Sequence, residues 1–182
     1  MKHNISLILN KQDLKNLIKK IEENISPIVH DLGYSIVKIS FIGSEKAKTL
    51  QIMIERLDDS FITIKDCEIV SRSVSVCLDV LDPVCGKYNL EVSSPGINRP
   101  LEKPGDFMRF VGSHVIVKTF ELKNGMKIFR GLLDSATEHG IKVHLSISTV
   151  EDVDFAYDEI KNACIDGIKQ GVFQKSEPKN KS

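Results

Sequence analysis

Two serines, a proline–glycine turn and an arginine stand together near the middle of the chain, and they are the residues best placed to do chemistry. Ser93, Ser94, Pro95 and Gly96 follow a predicted strand, and Arg99 comes three residues later. Proline followed by glycine fits a type II turn, in which glycine takes a positive φ. Hydroxyls and a guanidinium around such a turn could hold a phosphate or the backbone of a partner. Spacing alone, however, favours a structural role at a domain junction.

The two serines lack the surroundings of a catalytic nucleophile. No G-x-S-x-G sequence encloses them, and neither of the glycine-rich phosphate-binding loops occurs in the chain. No histidine shows a local triad pattern; the five are His3, His30, His114, His139 and His144. We therefore predict no catalytic residue and no enzyme. A hydrolase that uses Ser93 or Ser94 stays open as an alternative, which would need a triad assembled only by the fold.

Metal and redox chemistry are not indicated by the cysteines or by the acidic clusters. The cysteines form no C-x-x-C pair, which argues against a zinc site or a redox dithiol and suggests reduced residues of a cytoplasmic protein; they are Cys67, Cys77, Cys85 and Cys164. Asp58-Asp59 and the run 151–154 lack the spacing of a calcium loop, so we interpret them as solvated charges. We predict no metal and no cofactor.

Charge decides between direct RNA binding and binding through a protein. The chain carries 25 Lys+Arg against 25 Asp+Glu, contains no tryptophan and is only 6% aromatic. Binding dominated by phosphate contacts or by base stacking is therefore disfavoured. Four basic residues on predicted strands could still form a local stripe: Lys118, Lys127, Arg130 and Lys142. No apolar run reaches the ~18 residues of a membrane-spanning helix, so we expect no membrane association.

An amphipathic helix is predicted at the start of the chain. From Leu14 to Leu32 the apolar residues recur at steps of three and four. Asn10 could cap this helix, and Gly33 is a natural stop. Pro27 removes a backbone donor inside the pattern, so we expect a kink or an early break there.

Period-two alternation follows, and then a second helix. Residues 34–41 and 49–55 alternate and predict a hairpin, and residues 88–92 predict a third strand. Thr63 and Asp66 have the spacing of a capping box at the start of the second helix, which Pro83 would end. Two helices on a three-stranded sheet make an N-terminal α/β domain.

The second half has the pattern of a small antiparallel barrel. Strands are predicted at 114–120, 126–134, 140–145 and 152–157, and Asn124-Gly125 is a strong hairpin signal between the first two. Residues 158–162 suggest one helical turn before a last strand around 163–165. Close-spaced strands with tight turns favour an SH3-like or Sm-like barrel.

The fold class that follows is α+β, with two domains. The α/β domain spans residues 1–94, a stiff Pro/Gly linker spans 95–105, the barrel spans 106–173, and a polar, lysine-rich tail at 174–182 is predicted to be disordered. A stiff linker would hold two binding faces at a set angle.

Residues 66–101 resemble the RimP family of ribosome maturation factors. The resemblance is carried by D-C-E-I-V-S-R at 66–72, L-D-V-L-D-P at 78–83, Y-N-L-E-V-S-S-P-G at 88–96 and R-P-L at 99–101. These segments form one long ordered match, which is far more specific than a short motif. One departure is Asn98, where the family commonly has aspartate; if that side chain accepted a hydrogen bond from an arginine, asparagine would weaken it.

The resemblance implies a non-catalytic protein that binds immature small (30S) ribosomal subunits. Such a factor assists the folding of the ribosomal RNA and the late incorporation of ribosomal proteins, notably small-subunit protein twelve, which we assign to the barrel. A barrel edge strand could add to a partner's backbone. We expect a cytoplasmic monomer. The candidate binding residues are Ser93, Ser94, Pro95, Gly96, Asn98, Arg99, Lys118, Lys127, Arg130 and Lys142.

A free-standing Sm-like regulator that binds messenger or small RNA is the alternative from another functional class. The low aromatic content and the balanced charge count against it. Tight, salt-sensitive binding to naked unstructured RNA would favour it.

Overall fold

The computed structural model describes residues 10–44, 47–83, 86–145 and 151–169. His3, Cys85 and the tail at 174–182, which was predicted to be disordered, lie outside these ranges. The chain divides into two compact units, Met1–Pro95 and Gly96–Ser182. Within the described ranges, no helix has the length and apolar character needed to cross a membrane.

Helix α1, Lys11–Asp31, opens the first unit. Asn10 caps it as predicted, because its side-chain oxygen accepts hydrogen bonds from the backbone N–H groups of Gln12 and Asp13 at 2.9 and 2.8 Å. The helix continues through Pro27, so the predicted early break does not occur. Ile25 and Val29, on either side of the proline, are fully buried, and this packing holds the turn in helical form.

Three strands form the sheet of the first unit in the order β1 (Tyr34–Ser44), β2 (Ala47–Arg56) and β3 (Asn89–Ser93). The predicted pairing of β1 and β2 is confirmed as antiparallel. Strand β3 runs parallel to β2, with Leu50 beside Leu90 and Ile52 beside Val92. A parallel neighbour needs a crossover connection, and helix α2, Ile64–Leu81, supplies it.

The ends of α2 follow the sequence signals closely. The capping box of Thr63 and Asp66 is present, and Asp82 adopts a left-handed conformation (φ 37°) directly before Pro83. The buried stripe of α2 packs with α1 and the sheet in one core; it comprises Val70, Val74 and Leu78. The RimP-like segment therefore contains both a core helix and the strand that follows it.

A six-stranded antiparallel sheet forms the second unit. Its order is β4-β9-β5-β6-β7-β8. The elements are β4 (Pro100–Leu101), helix α3 (Pro104–Arg109), β5 (His114–Lys123), β6 (Met126–Ala136), β7 (Gly140–Leu145), β8 (Glu151–Ala156) and β9 (Ile160–Ile165). Asn124 and Gly125 both have positive φ (51° and 76°), which confirms the predicted hairpin turn between β5 and β6. The SH3-like or Sm-like barrel stays a prediction.

Two local predictions in the second half differ from the structure. Residues 157–159 form a turn and β9 begins at Ile160, so the predicted helical turn at 158–162 is wrong. Pairing with β5 outweighs local helical preference here, because Asn162 lies opposite Lys118 in the sheet. Helix α3 and the short strand β4 were not predicted, since the three prolines nearby indicated only a linker.

Asp66 joins three elements of the first unit through its carboxylate, which is nearly buried. Tyr34 Oη and Arg56 Nη1 donate hydrogen bonds to Oδ1 at 2.6 and 3.0 Å. The backbone N and the Oγ1 of Thr63 both donate to Oδ2 at 2.7 Å. These bonds, that of the Tyr34 hydroxyl first, lower the pKa of Asp66 to about 2. One side chain thus ties the start of β1, the end of β2 and the start of α2 together.

The substitution Asp66→Asn should therefore destabilise the protein. An amide presents one acceptor oxygen and one donor group, so it cannot replace all four accepted bonds, and we expect the melting temperature at neutral pH to fall by roughly 5 °C or more. Asp79→Asn is the matched control, because Asp79 is exposed on the same helix. Equal melting temperatures for the two variants would contradict this role of Asp66.

The lowered pKa also makes the effect depend on pH. Aspartate in an unfolded chain titrates near ~3.9, so the stabilisation by Asp66 is complete above that pH and is lost as the pH falls towards its folded value. The difference in melting temperature between wild type and Asp66→Asn should narrow between about pH 6 and about pH 2.5. Thermal unfolding followed by circular dichroism measures it, and a constant difference across that range would refute the assignment.

Candidate functional site

The predicted binding segment leaves β3 and runs into the second unit. Ser93 is the last residue of β3 and lies beside Met53 of β2, half-buried. Ser94 is exposed and Pro95 is half-buried. Gly96 has a φ of +67°, as a glycine at the third position of a type II turn requires. In this segment Ser94 and Gly96 present the more open surface.

Arg99 is turned inward and is only 8% exposed. Its Nη2 donates to Asp106 Oδ1 at 2.9 Å, and its Nη1 donates to the carbonyl of Pro100 at 2.8 Å. The guanidinium also lies over the ring of Phe110, 4.8 Å from the centroid. An arginine held in this way orders the chain around it. We therefore do not propose direct contact between Arg99 and a partner.

Asp106 is the residue of this arrangement that sequence reasoning missed. While Oδ1 holds Arg99, Oδ2 accepts hydrogen bonds from the backbone N–H groups of Glu102 and Lys103 at 3.0 and 2.9 Å. Asp106 stands in the first turn of α3, which has Pro104 at its start. Proline followed two residues later by aspartate is a helix-start signal that could have located both α3 and this carboxylate.

Asn98 contacts the chain just after β9. Its Oδ1 accepts a hydrogen bond from the backbone N–H of Gly167 at 3.3 Å. A Cβ atom on Gly167 would lie 2.3 Å from the carbonyl oxygen of Ile97, so only glycine fits this close approach. The partner seen at Asn98 is thus a backbone amide, which an amide oxygen can satisfy without a charge.

Three of the four predicted basic residues share one face of the six-stranded sheet. Lys118, Arg130 and Lys142 each stand between two buried neighbours in β5, β6 and β7, so they point away from the core. Across the strands, Lys118 lies opposite Ile128, and Ile128 is 53% exposed. We call the surface made by Lys118, Ile128, Arg130 and Lys142 the outer face.

The members of the predicted stripe differ in how far they are engaged. Arg130 Nη1 donates to Asp166 Oδ2 at 3.3 Å, and Asp166 is almost completely buried. Lys127 shares the alternation of the core residue Phe129, and so it does not belong to the outer face. Its Nζ donates to the carbonyl of Phe120 at 3.0 Å. The other three share a face without forming a continuous stripe, because Lys118 lies opposite Ile128, two residues from Arg130 along β6, whereas Lys142 lies opposite Ser135, five residues from it.

Catalytic and metal-binding arrangements are not formed by the described residues. Neither Ser93 nor Ser94 is hydrogen-bonded to a histidine in the described ranges, and His144 Nδ1 is instead 2.7 Å from Asp152 Oδ1. No group of three or more potential ligands that could hold a metal ion occurs there either. Asp58, one of the acidic pair that we interpreted as solvated charges, accepts hydrogen bonds from Ser60 and Arg56. These bonds hold the pKa of Asp58 well below its usual range.

The Arg99–Asp106 pair should be important for stability of the second unit. Asp106→Ala would leave the Arg99 guanidinium buried without its carboxylate and two backbone N–H groups without an acceptor, at a cost of about 2–4 kcal/mol in the free energy of unfolding. Arg99→Lys keeps the charge but loses the planar fork, so it should also destabilise. Chemical denaturation measures both.

Arg109→Lys is the control for the Arg99 variants. Arg109 also lies over the Phe110 ring, at 5.1 Å, but it is exposed. We expect this substitution to change the unfolding free energy by less than about 0.5 kcal/mol. If Arg99→Lys and Arg109→Lys behave alike, the inward position of Arg99 has no energetic consequence.

The first unit matches the model of a known protein family. Residues 24–98 match the family model of the RimP N-terminal domain. The matched range begins within α1, contains β1, β2, α2 and β3, and ends with the Ser-Ser-Pro-Gly segment and Asn98. Asp66 and its partners Tyr34, Arg56 and Thr63 all lie inside it. This match to the RimP N-terminal domain supports the RimP family as the family of the chain.

Proposed function

We propose that this protein is a cytoplasmic, non-catalytic ribosome maturation factor. It binds immature small (30S) ribosomal subunits and assists rRNA folding and the late incorporation of ribosomal proteins. The observation that carries the proposal is the match of residues 24–98 to the RimP N-terminal domain. The family motif continues beyond the match through Arg99 and Pro100 to Leu101, inside the second unit, which begins at Gly96.

The geometry of the family segment supports a division of roles within it. Asp66 and Arg99 are buried among hydrogen-bond partners and hold the fold in place. Ser94 and Gly96 are exposed and offer a hydroxyl and an accessible backbone. In the proposed complex these exposed groups face the immature subunit.

The outer face is the proposed site of RNA contact in the second unit. Lys118 and Lys142 supply two charges for phosphates, and Ile128 supplies apolar surface. A small number of phosphate contacts gives binding that is only moderately sensitive to salt. Together with the balanced charge of the whole chain, this suits a factor that must leave the subunit once it is mature.

The second unit is also the proposed partner of small-subunit ribosomal protein twelve. Its six strands would form a small SH3-like barrel that stays open at β8, and the protein would act as a monomer. Support comes from the antiparallel sheet in the order β4-β9-β5-β6-β7-β8, since small antiparallel barrels commonly present their faces and edges to other chains.

Sedimentation with ribosomal particles tests the proposal. We expect the protein to co-migrate with immature small subunits and to be largely absent from mature ones, because a maturation factor must be released when assembly ends. Equal or better co-migration with mature subunits would contradict the assembly role. Tight, salt-sensitive binding to naked unstructured RNA would instead favour the Sm-like regulator.

Charge reversal on the outer face tests the RNA contact. The double variant Lys118→Glu/Lys142→Glu should bind immature subunits about tenfold more weakly at moderate salt, and its salt dependence should be shallower. Lys127→Glu is the matched control, because Lys127 lies off the outer face. If Lys127→Glu weakens binding as much as Lys118→Glu alone or Lys142→Glu alone, the overall charge of the protein rather than the outer face would be responsible.

A further inference from the structure

The two edges of the six-stranded sheet differ in how open they are. Strand β4 has two residues, one of them Pro100, and it covers the edge of β9. Strand β8 has six residues, contains no proline, and pairs with β7 without any register shift. Among the strands of the described residues, β7 is the only neighbour of β8. A short strand with proline blunts an edge, whereas a longer regular strand leaves its N–H and C=O groups available for pairing. In β8 this applies to the residues before Ala156, because the Ala156 N–H donates to Glu159 Oε2 at 2.8 Å and the Ala156 carbonyl accepts from the Glu159 N–H at 3.1 Å.

Strand β8 is firmly anchored by its inward side chains. Val153 and Phe155 are 4% and 2% exposed. The ring of Phe155 meets that of Phe129 edge-on, with 4.9 Å between centroids. These contacts keep β8 in the sheet, so its outer edge is a preformed template rather than a segment that must first become ordered.

The exposed side of β8 is acidic. Asp152 and Asp154 alternate with the buried residues and are exposed. Asp152 is 2.7 Å from His144 Nδ1, and Asp154 lies opposite Lys142. Residues 151–159 nevertheless contain five carboxylates and no lysine or arginine; the acidic residues are Glu151, Asp152, Asp154, Asp158 and Glu159. Of these, Glu159 is engaged by Lys123 Nζ at 2.9 Å.

Charge selects the kind of chain that could pair with this edge. A second copy of β8 would bring Asp152 and Asp154 close to their counterparts, and like charges across a strand pair are unfavourable. RNA would place phosphates beside the same carboxylates. An extended polypeptide with lysine or arginine at alternate positions would complement Asp152 and Asp154 while its backbone satisfied the open edge.

We propose that the edge of β8 that faces away from β7 receives a basic, extended segment of a partner protein as an added strand. The inference rests on the proposed function in one respect, namely that the immature subunit supplies such a segment. It deepens that function by assigning the protein contact to the β8 edge, while the outer face of β5, β6 and β7 is left for RNA. The backbone of β8 would provide affinity, and Asp152 and Asp154 would provide selection for basic side chains.

The test is a titration of the full-length protein with an eight-residue peptide that alternates lysine and valine. Backbone amide resonances report the site, and we expect the largest changes at Asp152 to Ala156. A second peptide has the same side chains but methylated nitrogens at alternate positions, so it keeps the charge and loses the ladder hydrogen bonds. We expect this peptide not to bind.

Two protein variants test the role of the carboxylates. Asp152→Asn/Asp154→Asn should weaken binding of the lysine–valine peptide about tenfold. Asp79→Asn/Asp134→Asn removes the same number of charges from exposed positions away from β8 and should leave the affinity unchanged. Amide spectra of both variants show whether the fold is retained.

Three results would overturn the proposal. Absence of binding would mean that the acidic side chains only protect the edge from association. Equal binding of the methylated peptide would show charge adhesion without strand addition. Resonance changes away from β8 would place the site elsewhere. Co-sedimentation with immature subunits separates this inference from the proposed function. Subunit binding by the wild-type protein tests the function, whatever the result with the peptide. Comparison with Asp152→Asn/Asp154→Asn tests the contribution of the β8 edge.

Discussion

An aspartate at the start of a helix, paired with an arginine, recurs in both units, and the local structure around it depends on the pair: Asp66 is buried, whereas in the second unit it is Arg99 that is buried and Asp106 is half-buried. Asp66 accepts hydrogen bonds from Arg56 and from the cap of α2, and Asp106 accepts them from Arg99 and from the chain entering α3. Both arginines also lie over an aromatic ring. Without the carboxylate, the Thr63 N–H in the first unit and the buried Arg99 guanidinium in the second would lose an acceptor, which costs more than the pair gains.

This constraint explains why strongly polar residues of the family segment need not be binding residues. Asp66 and Arg99 have the residue types of a recognition site, yet both are satisfied inside their own unit. The groups that we propose for partners are more modest: the hydroxyl of Ser94, the lysines of the outer face and the edge of β8 that faces away from β7. Several weak contacts of this kind would suit the proposed role, in which a non-catalytic factor binds the subunit and then leaves it.

The sequence predicts well those elements whose signals are local. Apolar periodicity and caps located α1 and α2, and Asn124-Gly125 located a hairpin. What it missed depends on contacts between distant residues. The start of β9 is decided by pairing with β5. The inward position of Arg99 is decided by Asp106, which stands in helix α3, a segment that we predicted to be part of the linker. The parallel direction of β3 likewise follows from packing rather than from alternation.

A cross-link map of the protein on immature small subunits is the most direct test of whether the outer face meets the rRNA during assembly. Lysines occur in both units, so a lysine-reactive reagent samples each of them. Lys19 and Lys20 of α1 and Lys118 of the outer face are exposed, and Lys142 of the outer face is half-buried. We expect cross-links to rRNA-proximal sites from Lys118 and Lys142, and few from Lys19 and Lys20. Cross-links distributed evenly over all four lysines, or found equally on mature subunits, would contradict it.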